Sequence, residues 1–172
     1  MSALGNLKQR RWVRWTLDLG IAALVILAVM GWQTRNLIGG GEPAPAFELR
    51  DLQGRTWKLE DLKGKPVLLT FWAPWCGVCK AESSNVSAVR KTEGEDVHVL
   101  SIVLAYEGLE DIQRFVAEQG VEYPVLVGND RIMRDFKVEA FPTTYYLSED
   151  GRIRRSTVGY TTQMGMRARL RL

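Results

Sequence analysis

The chain has 172 residues, with 23 Lys and Arg against 20 Asp and Glu, and only 2 cysteines. That length holds one ordinary domain plus an appendage. A net charge of +3 with no basic stripe interleaved with aromatics excludes a nucleic-acid reader, and no internal repeat or long low-complexity tract suggests a solenoid or a disordered scaffold.

The appendage comes first. Lys8, Arg10, Arg11 and Arg14 precede a charge-free run from Leu19 to Trp32. With Trp12 and Trp15 as interfacial residues, the segment is long enough to cross a hydrocarbon core of ~30 Å at ~1.5 Å per residue. Asp18 would lie near the cytoplasmic interface. Four basic residues lead the segment and only Arg35 follows closely, so the N-terminus stays cytoplasmic and the remainder is exported. A cleaved signal peptide is the competing reading. Met30-Gly31-Trp32-Gln33 offers no small-x-small cleavage site, however, and Ala44-Pro45-Ala46 lies too far downstream. The expected organisation is therefore a basic tail over 1–14, a transmembrane anchor over 15–34, a linker over 35–46 and one domain over 47–172. Gly39-Gly40-Gly41 makes that linker flexible, and Pro43 and Pro45 stiffen its end.

From Phe47 the chain alternates between strand and helix patterns. Phe47–Leu49 and Arg55–Leu59 flank Asp51-Leu52-Gln53-Gly54, the signature of a hairpin. Val67–Trp72 is a short apolar run punctuated by Gly64, Pro66 and Pro74, which predicts a buried strand. Gly77 to Arg90 contains no proline and is competent to form a helix. A second apolar strand is predicted over Val97–Leu104. Apolar residues at 109, 112, 115 and 116 then predict a helix over Leu109–Gln119, with Gly120 as its stop. Pro124–Val127 is a short apolar run. Thr143–Leu147 and Arg152–Val158 flank Ser148–Gly151 as a second hairpin, and Thr161–Leu172 can close the fold as a helix, with Arg167, Arg169 and Arg171 on a solvated face. Early strands separated by helices and a terminal hairpin indicate an α/β sandwich: a central mixed sheet flanked by helices.

The two cysteines fall together in Trp72-Ala73-Pro74-Trp75-Cys76-Gly77-Val78-Cys79, between the buried strand and the helix that follows. There Cys76 meets unpaired N–H groups and the positive end of a helix dipole, which stabilise a thiolate. Cys79 lies one turn along, placed to close or reopen a disulfide. As a structural staple, so small a loop would restrict the unfolded chain little. A zinc site needs four ligands, and the two thiolates with the lone His98 supply at most three. A redox pair is the stronger reading. Glu82 follows Cys79 by three positions and so shares its helical face. A carboxyl in a partly apolar site can exchange a proton with the thiol; a solvated helix residue is the bland alternative. His98 reads as a strand-end or core residue, Trp72 and Trp75 as aromatic packing around the site with Trp75 partly exposed, and Met164 and Met166 as packing rather than copper ligands.

Trp75-Cys76-Gly77-Val78-Cys79 followed by Phe141-Pro142-Thr143-Thr144 resembles the thioredoxin-fold oxidoreductases, and the likeness runs from about Glu42 to Leu172. With the anchor, the opening hairpin and Phe71-Trp72-Ala73 ahead of the cysteines, it is most similar to the membrane-tethered DsbE/TlpA-like branch. The resemblance implies that Cys76 is the exposed nucleophile and Cys79 the resolving cysteine. It makes Pro142 a cis-proline lying against the disulfide, although Phe141-Pro142 alone would read as an ordinary turn. Phe141, Pro142 and Thr143, with Trp75, are then the substrate-binding surface, and Glu82 is the acid–base group found in this branch at the same spacing. Ordinary thioredoxins instead carry a buried acid where this chain has Thr70. A further departure is Ser84, where family members commonly carry a helix-kinking proline.

The expected activity is thiol:disulfide exchange with protein substrates, using no cofactor and no metal, on the periplasmic side of a bacterial inner membrane and supplied by a membrane electron donor. Cytochrome c maturation or a specialised or stress-linked client are the errands the likeness suggests. A copper-binding or metallochaperone module using the same two thiolates is the rival from another class. Such carriers pair a Cys-x-x-x-Cys with a downstream histidine, and here the spacing is two with no histidine after His98. A peroxidase reading lacks its Thr-x-x-Cys pattern.

Overall fold

The computed structural model describes residues 15, 17–25, 28, 29 and 37–171. The chain divides into two compact units, residues 1–35 and 36–172. In the first, residues 15, 17–25, 28 and 29 are helical. Among the described residues no helix is long and apolar enough to cross a membrane. The tail over 1–14 and the rest of the expected anchor lie outside them.

The second unit is built on a sheet whose order is set by one strand. β1 (Glu48–Arg50) and β2 (Thr56–Lys58) form an antiparallel hairpin, followed by a 3₁₀ turn at Leu59–Leu62. Asp51 closes the hairpin: its Oδ1 accepts the N–H groups of Gln53 and Arg55 at 3.0 and 2.8 Å, and its Oδ2 accepts Trp57 Nε1–H at 2.8 Å. β3 (Val67–Trp72) leads into helix α1 (Gly77–Glu93). β4 (His98–Val103), α2 (Leu109–Gln119), β5 (Val125–Val127) and α3 (Asp130–Asp135) follow, and then β6 (Thr143–Leu147), β7 (Ile153–Val158) and α4 (Gln163–Arg171). The sheet order is β5-β4-β3-β6-β7, with β3 parallel to β4 and antiparallel to β6.

All six residues of β3 are buried. Their alternation sorts them between two apolar clusters. Val67, Leu69 and Phe71 face the hairpin, the 3₁₀ turn and α3, against Phe47, Leu62 and Phe136. Leu68 and Trp72 face α1, α2 and α4, against Val86, Phe115 and Met166. A strand covered on both faces reads as a continuous apolar run, which is why its limits were legible.

Two features differ from expectation. Residues 38–44, expected within a flexible linker over 35–46, lie along the outer edge of β7. Gly41 N–H donates to Ile153 O at 2.7 Å, Ile153 N–H to Glu42 O at 2.8 Å and Ala44 N–H to Gly151 O at 3.0 Å, while Ile38 and Ala44 are buried. The physical reason is the edge itself, whose unpaired main-chain groups need partners. The 3₁₀ turn and α3 were not anticipated, because neither is long enough to show a helical period. α3 is instead started by Asn129, whose Oδ1 accepts Ile132 N–H at 3.1 Å. The stretch read as helix-competent from Gly77 to Arg90 is helical: α1 runs unbroken through Ser84 to Glu93 and stops at Gly94, where φ is +56°.

Phe136 is fully buried, with the rings of Phe71, Tyr145 and Phe47 at 4.9, 5.7 and 6.3 Å. Phe136→Ala is expected to lower unfolding stability by about 3–5 kcal/mol, read from urea denaturation; a loss below 1 kcal/mol would show that the cluster collapses around the gap.

Candidate active site

β3 ends against Ala73, and Pro74 and Trp75 turn the chain into α1. Cys76 is the N-cap of that helix: its Sγ accepts Cys79 N–H at 3.1 Å, and its own N–H donates to Ala73 O at 3.1 Å. Cys76 and Cys79 form a disulfide with S–S 2.10 Å and Cα–Cα 5.2 Å. Both sulfurs therefore sit at the positive end of a 17-residue helix, where a thiolate released by reduction is stabilised. Cys76, expected as an exposed thiol, is only 6% exposed, against 3% for Cys79. Both belong to the apolar cluster that Phe141 packs against, so an incoming thiol or disulfide must approach through the small opening at Cys76.

Glu82 lies on the same helical face as Cys79 and is 2% exposed. Its Oε1 accepts Thr161 N–H at 2.7 Å. Burial drives its pKa from 4.5 up to about 7, against the opposing pull of the Thr161 hydrogen bond. The solvated-helix alternative is thus set aside by position. A small cavity is lined by Cys79, Glu82, Thr70, Trp72, Tyr123 and Pro142. Thr70 takes its partner from across the sheet, accepting Thr144 Oγ1–H at 3.0 Å. Trp72 stacks on Phe115 with centroids 4.0 Å apart.

The walls come from loops distant in sequence. The Phe141–Pro142 peptide is cis, and Pro142 lines the cavity beside Cys79. Trp75 is 69% exposed; its edge meets Phe141 at 5.7 Å and its Nε1–H donates to Ala105 O at 2.8 Å. Ala105 has φ +49°, a left-handed conformation uncommon outside glycine, so the carbonyl that holds Trp75 is presented by a strained residue. Beyond Trp75 an open groove continues between Lys80, Tyr106, Glu107, Asp111 and Glu118. Thr143 differs from expectation. It is fully buried, paired with Phe71 and Val158 within the sheet, and its Oγ1–H donates to Ala140 O at 2.7 Å. Its hydroxyl is committed to shaping the Phe141–Pro142 turn and is not presented to a substrate.

His98 opens β4 half-buried, and desolvation and then Lys65 and Arg90 hold its pKa down. Met166 is in the core while Met164 is exposed, so the two do not share a face. Arg167 and Arg171 are not a purely solvated face, since both pair with Glu93 of α1. Among the described residues no group of three or more His, Cys, Asp or Glu is placed to hold a metal ion. Sequence reasoning missed Thr161, Tyr123 and Ala105. Thr161 reaches Glu82 across 79 positions, and no local pattern announces such a contact.

The AhpC/TSA family model matches residues 40–156. The thioredoxin-like protein YneN of Bacillus subtilis is 31% identical over 162 residues, covering 89% of this chain and 95% of that protein. The thiol-disulfide oxidoreductase ResA of the same organism is 30% identical, covering 81% and 83%. Among solved structures, a secreted Mycobacterium tuberculosis disulfide oxidoreductase homologous to E. coli DsbE superposes with a TM-score of 0.63 at 26% identity, covering 73% of this chain and 94% of that one.

Glu82 leaves a signature in stability. Between pH 4.5 and about 7 the folded protein keeps a proton that the unfolded chain has released, so stability falls as pH rises through this window, by roughly 3 kcal/mol in all. In the oxidised protein, Glu82→Gln is expected to remove that slope and to be the more stable form at pH 8. Urea unfolding at pH 5 and pH 8 checks this, and parallel curves for the two proteins would refute it.

Proposed function

This chain belongs to the AhpC/TSA family and is a thioredoxin-like thiol:disulfide oxidoreductase, and from that premise we propose that it is an exported, membrane-tethered reductase of protein disulfides. The observation that carries the exchange chemistry is the juxtaposition of three groups: a Cys76–Cys79 pair at the N-terminus of α1, a buried Glu82 on the face of Cys79, and Pro142 lining the same cavity. In the reduced enzyme the Cys76 thiolate attacks one sulfur of a client disulfide. A Cys76–client bond forms and the other client sulfur leaves as a thiolate. Cys79 gives its proton to the Glu82 carboxylate and attacks Cys76 Sγ. The Cys76–Cys79 disulfide forms, the second client sulfur is released, and two electrons have passed from enzyme to client. A membrane electron donor restores the dithiol.

Glu82 suits this role because its pKa lies near neutrality, where a group both accepts and returns a proton. Trp75 and Phe141 form the apolar lip that a client segment meets. The Pro142 carbonyl already accepts Gly159 N–H at 2.8 Å, so strand-like pairing with a client falls to the backbone of Phe141. The charge asymmetry around 15–34 supports a cytoplasmic N-terminus with the catalytic domain in the periplasm, and the lack of a small-x-small site after the apolar run supports an uncleaved single-pass anchor in a bacterial inner membrane. A client in cytochrome c maturation, or another specialised exported protein, fits a tethered reductase better than a general oxidant.

In an insulin or dithiol assay, Cys76→Ser is expected to abolish activity, and retained turnover would overturn the mechanism. In intact cells, Cys79→Ser is expected to accumulate mixed disulfides with exported proteins in the membrane fraction. A shortened, soluble mature protein would refute the tether.

A further inference from the structure

Glu82 is 2% exposed, so a proton it takes from Cys79 has no direct way to bulk water. Its carboxyl is hydrogen-bonded to the Thr161 N–H ahead of α4; Cys79 on its own helix, Thr70 from β3 and Tyr123 ahead of β5 line the same cavity, and Tyr146 from β6 lies within reach of its charge. Both phenols are near enough for the Glu82 charge to raise their pKa, although burial is the larger cause in each. Access separates them. Tyr146 is 0% exposed, and its Oη has no hydrogen-bond partner among the described residues; the Thr157 hydroxyl and the Arg169 charge lie near it and lower its pKa without meeting hydrogen-bond geometry. Tyr123 lines the cavity that Cys79 and Glu82 share, yet keeps 7% of its surface open.

We propose that Tyr123 is the port through which Glu82 exchanges its proton with solvent, a positioning residue that acts through Glu82. The inference rests on the reading of Glu82 as the acid–base group of the exchange. The step moves one proton and no electrons. The two oxygens share no hydrogen bond in the oxidised structure, so the step requires them to close within the cavity they both line: neutral Glu82 then gives its proton to Tyr123 Oη while the phenol's own proton passes to water, and rotation about the C–O bond resets the hydroxyl. In the reverse direction water reprotonates Glu82 by the same path. Burial favours the neutral phenol, so Tyr123 works as a simultaneous acceptor and donor and does not accumulate as phenolate.

The test compares Tyr123→Phe, Tyr146→Phe and Glu82→Gln in the full chain. Stopped-flow exchange with a disulfide peptide is measured from pH 5 to 9 in H₂O and D₂O. Tyr123→Phe is expected to slow exchange about tenfold near pH 7, less than the ~10²-fold of losing a direct acid–base group. It should enlarge the solvent isotope effect, while the Glu82 midpoint, followed by carboxyl NMR in the oxidised protein, stays at about 7. Tyr146→Phe should change neither the rate nor the isotope effect. Unchanged exchange in Tyr123→Phe alongside a slow Glu82→Gln overturns the port alone, as does an equal slowing by Tyr146→Phe. If Glu82→Gln exchanges at the normal rate, the acid–base reading of Glu82 fails and the port with it.

Discussion

β3 lies at the middle of the sheet with no face left open, and the arrangement of the active site descends from that constraint. Side chains on a strand alternate with a period of two, so a slip of one residue would exchange the two clusters. Leu69 and Phe71 are locked against Phe136 and the hairpin. Thr70 and Trp72 are thereby forced to the helical side, where they floor the cavity beneath Cys79 and Glu82. The reactive loop is a direct continuation of this strand, and its sulfurs inherit the strand's rigidity.

The buried acid is the second determinant, and its origin is instructive. The family resemblance places an acid on the strand, at the position of Thr70, in ordinary thioredoxins. Here Thr70 carries a hydroxyl satisfied by Thr144, and the carboxyl comes from α1 instead. Both positions line the same cavity, so a charge supplied from the helix reaches the space that the strand would otherwise serve. A carboxyl with one main-chain donor is incompletely compensated, which is why its proton is held to near neutrality.

Much of this was legible in the sequence, for identifiable reasons. The limits of β3, α2 and β6 follow from apolar runs and punctuating Gly and Pro, signals that need no tertiary information. Cys79 lies three positions from Cys76 on one side and from Glu82 on the other, so helical spacing alone makes it the neighbour of both. Pro142 was placed by resemblance, because 63 positions separate it from Cys79 (142 − 79) and no local pattern joins them. The commitment of the Thr143 hydroxyl, the Thr161 N–H beneath Glu82 and the left-handed Ala105 depend on how remote segments meet. Residues 38–44 read as a linker because glycines signal flexibility and prolines a stiffened, irregular end, while the need of β7 for a partner is invisible until the sheet is assembled.

That strip of chain along β7 also fixes where the folded body starts. A version of the domain beginning at Phe47, where strand alternation first appears, would leave β7 without its main-chain partners from Gly41 to Ala44 and uncover the sites that Ile38 and Ala44 fill. The result would be an unprotected sheet edge beside an exposed apolar surface, the combination from which strands of neighbouring molecules associate. The glycines at 39–41 belong to the folded unit as its selvedge, and any shortening of the protein for solution work has to stop short of Ile38.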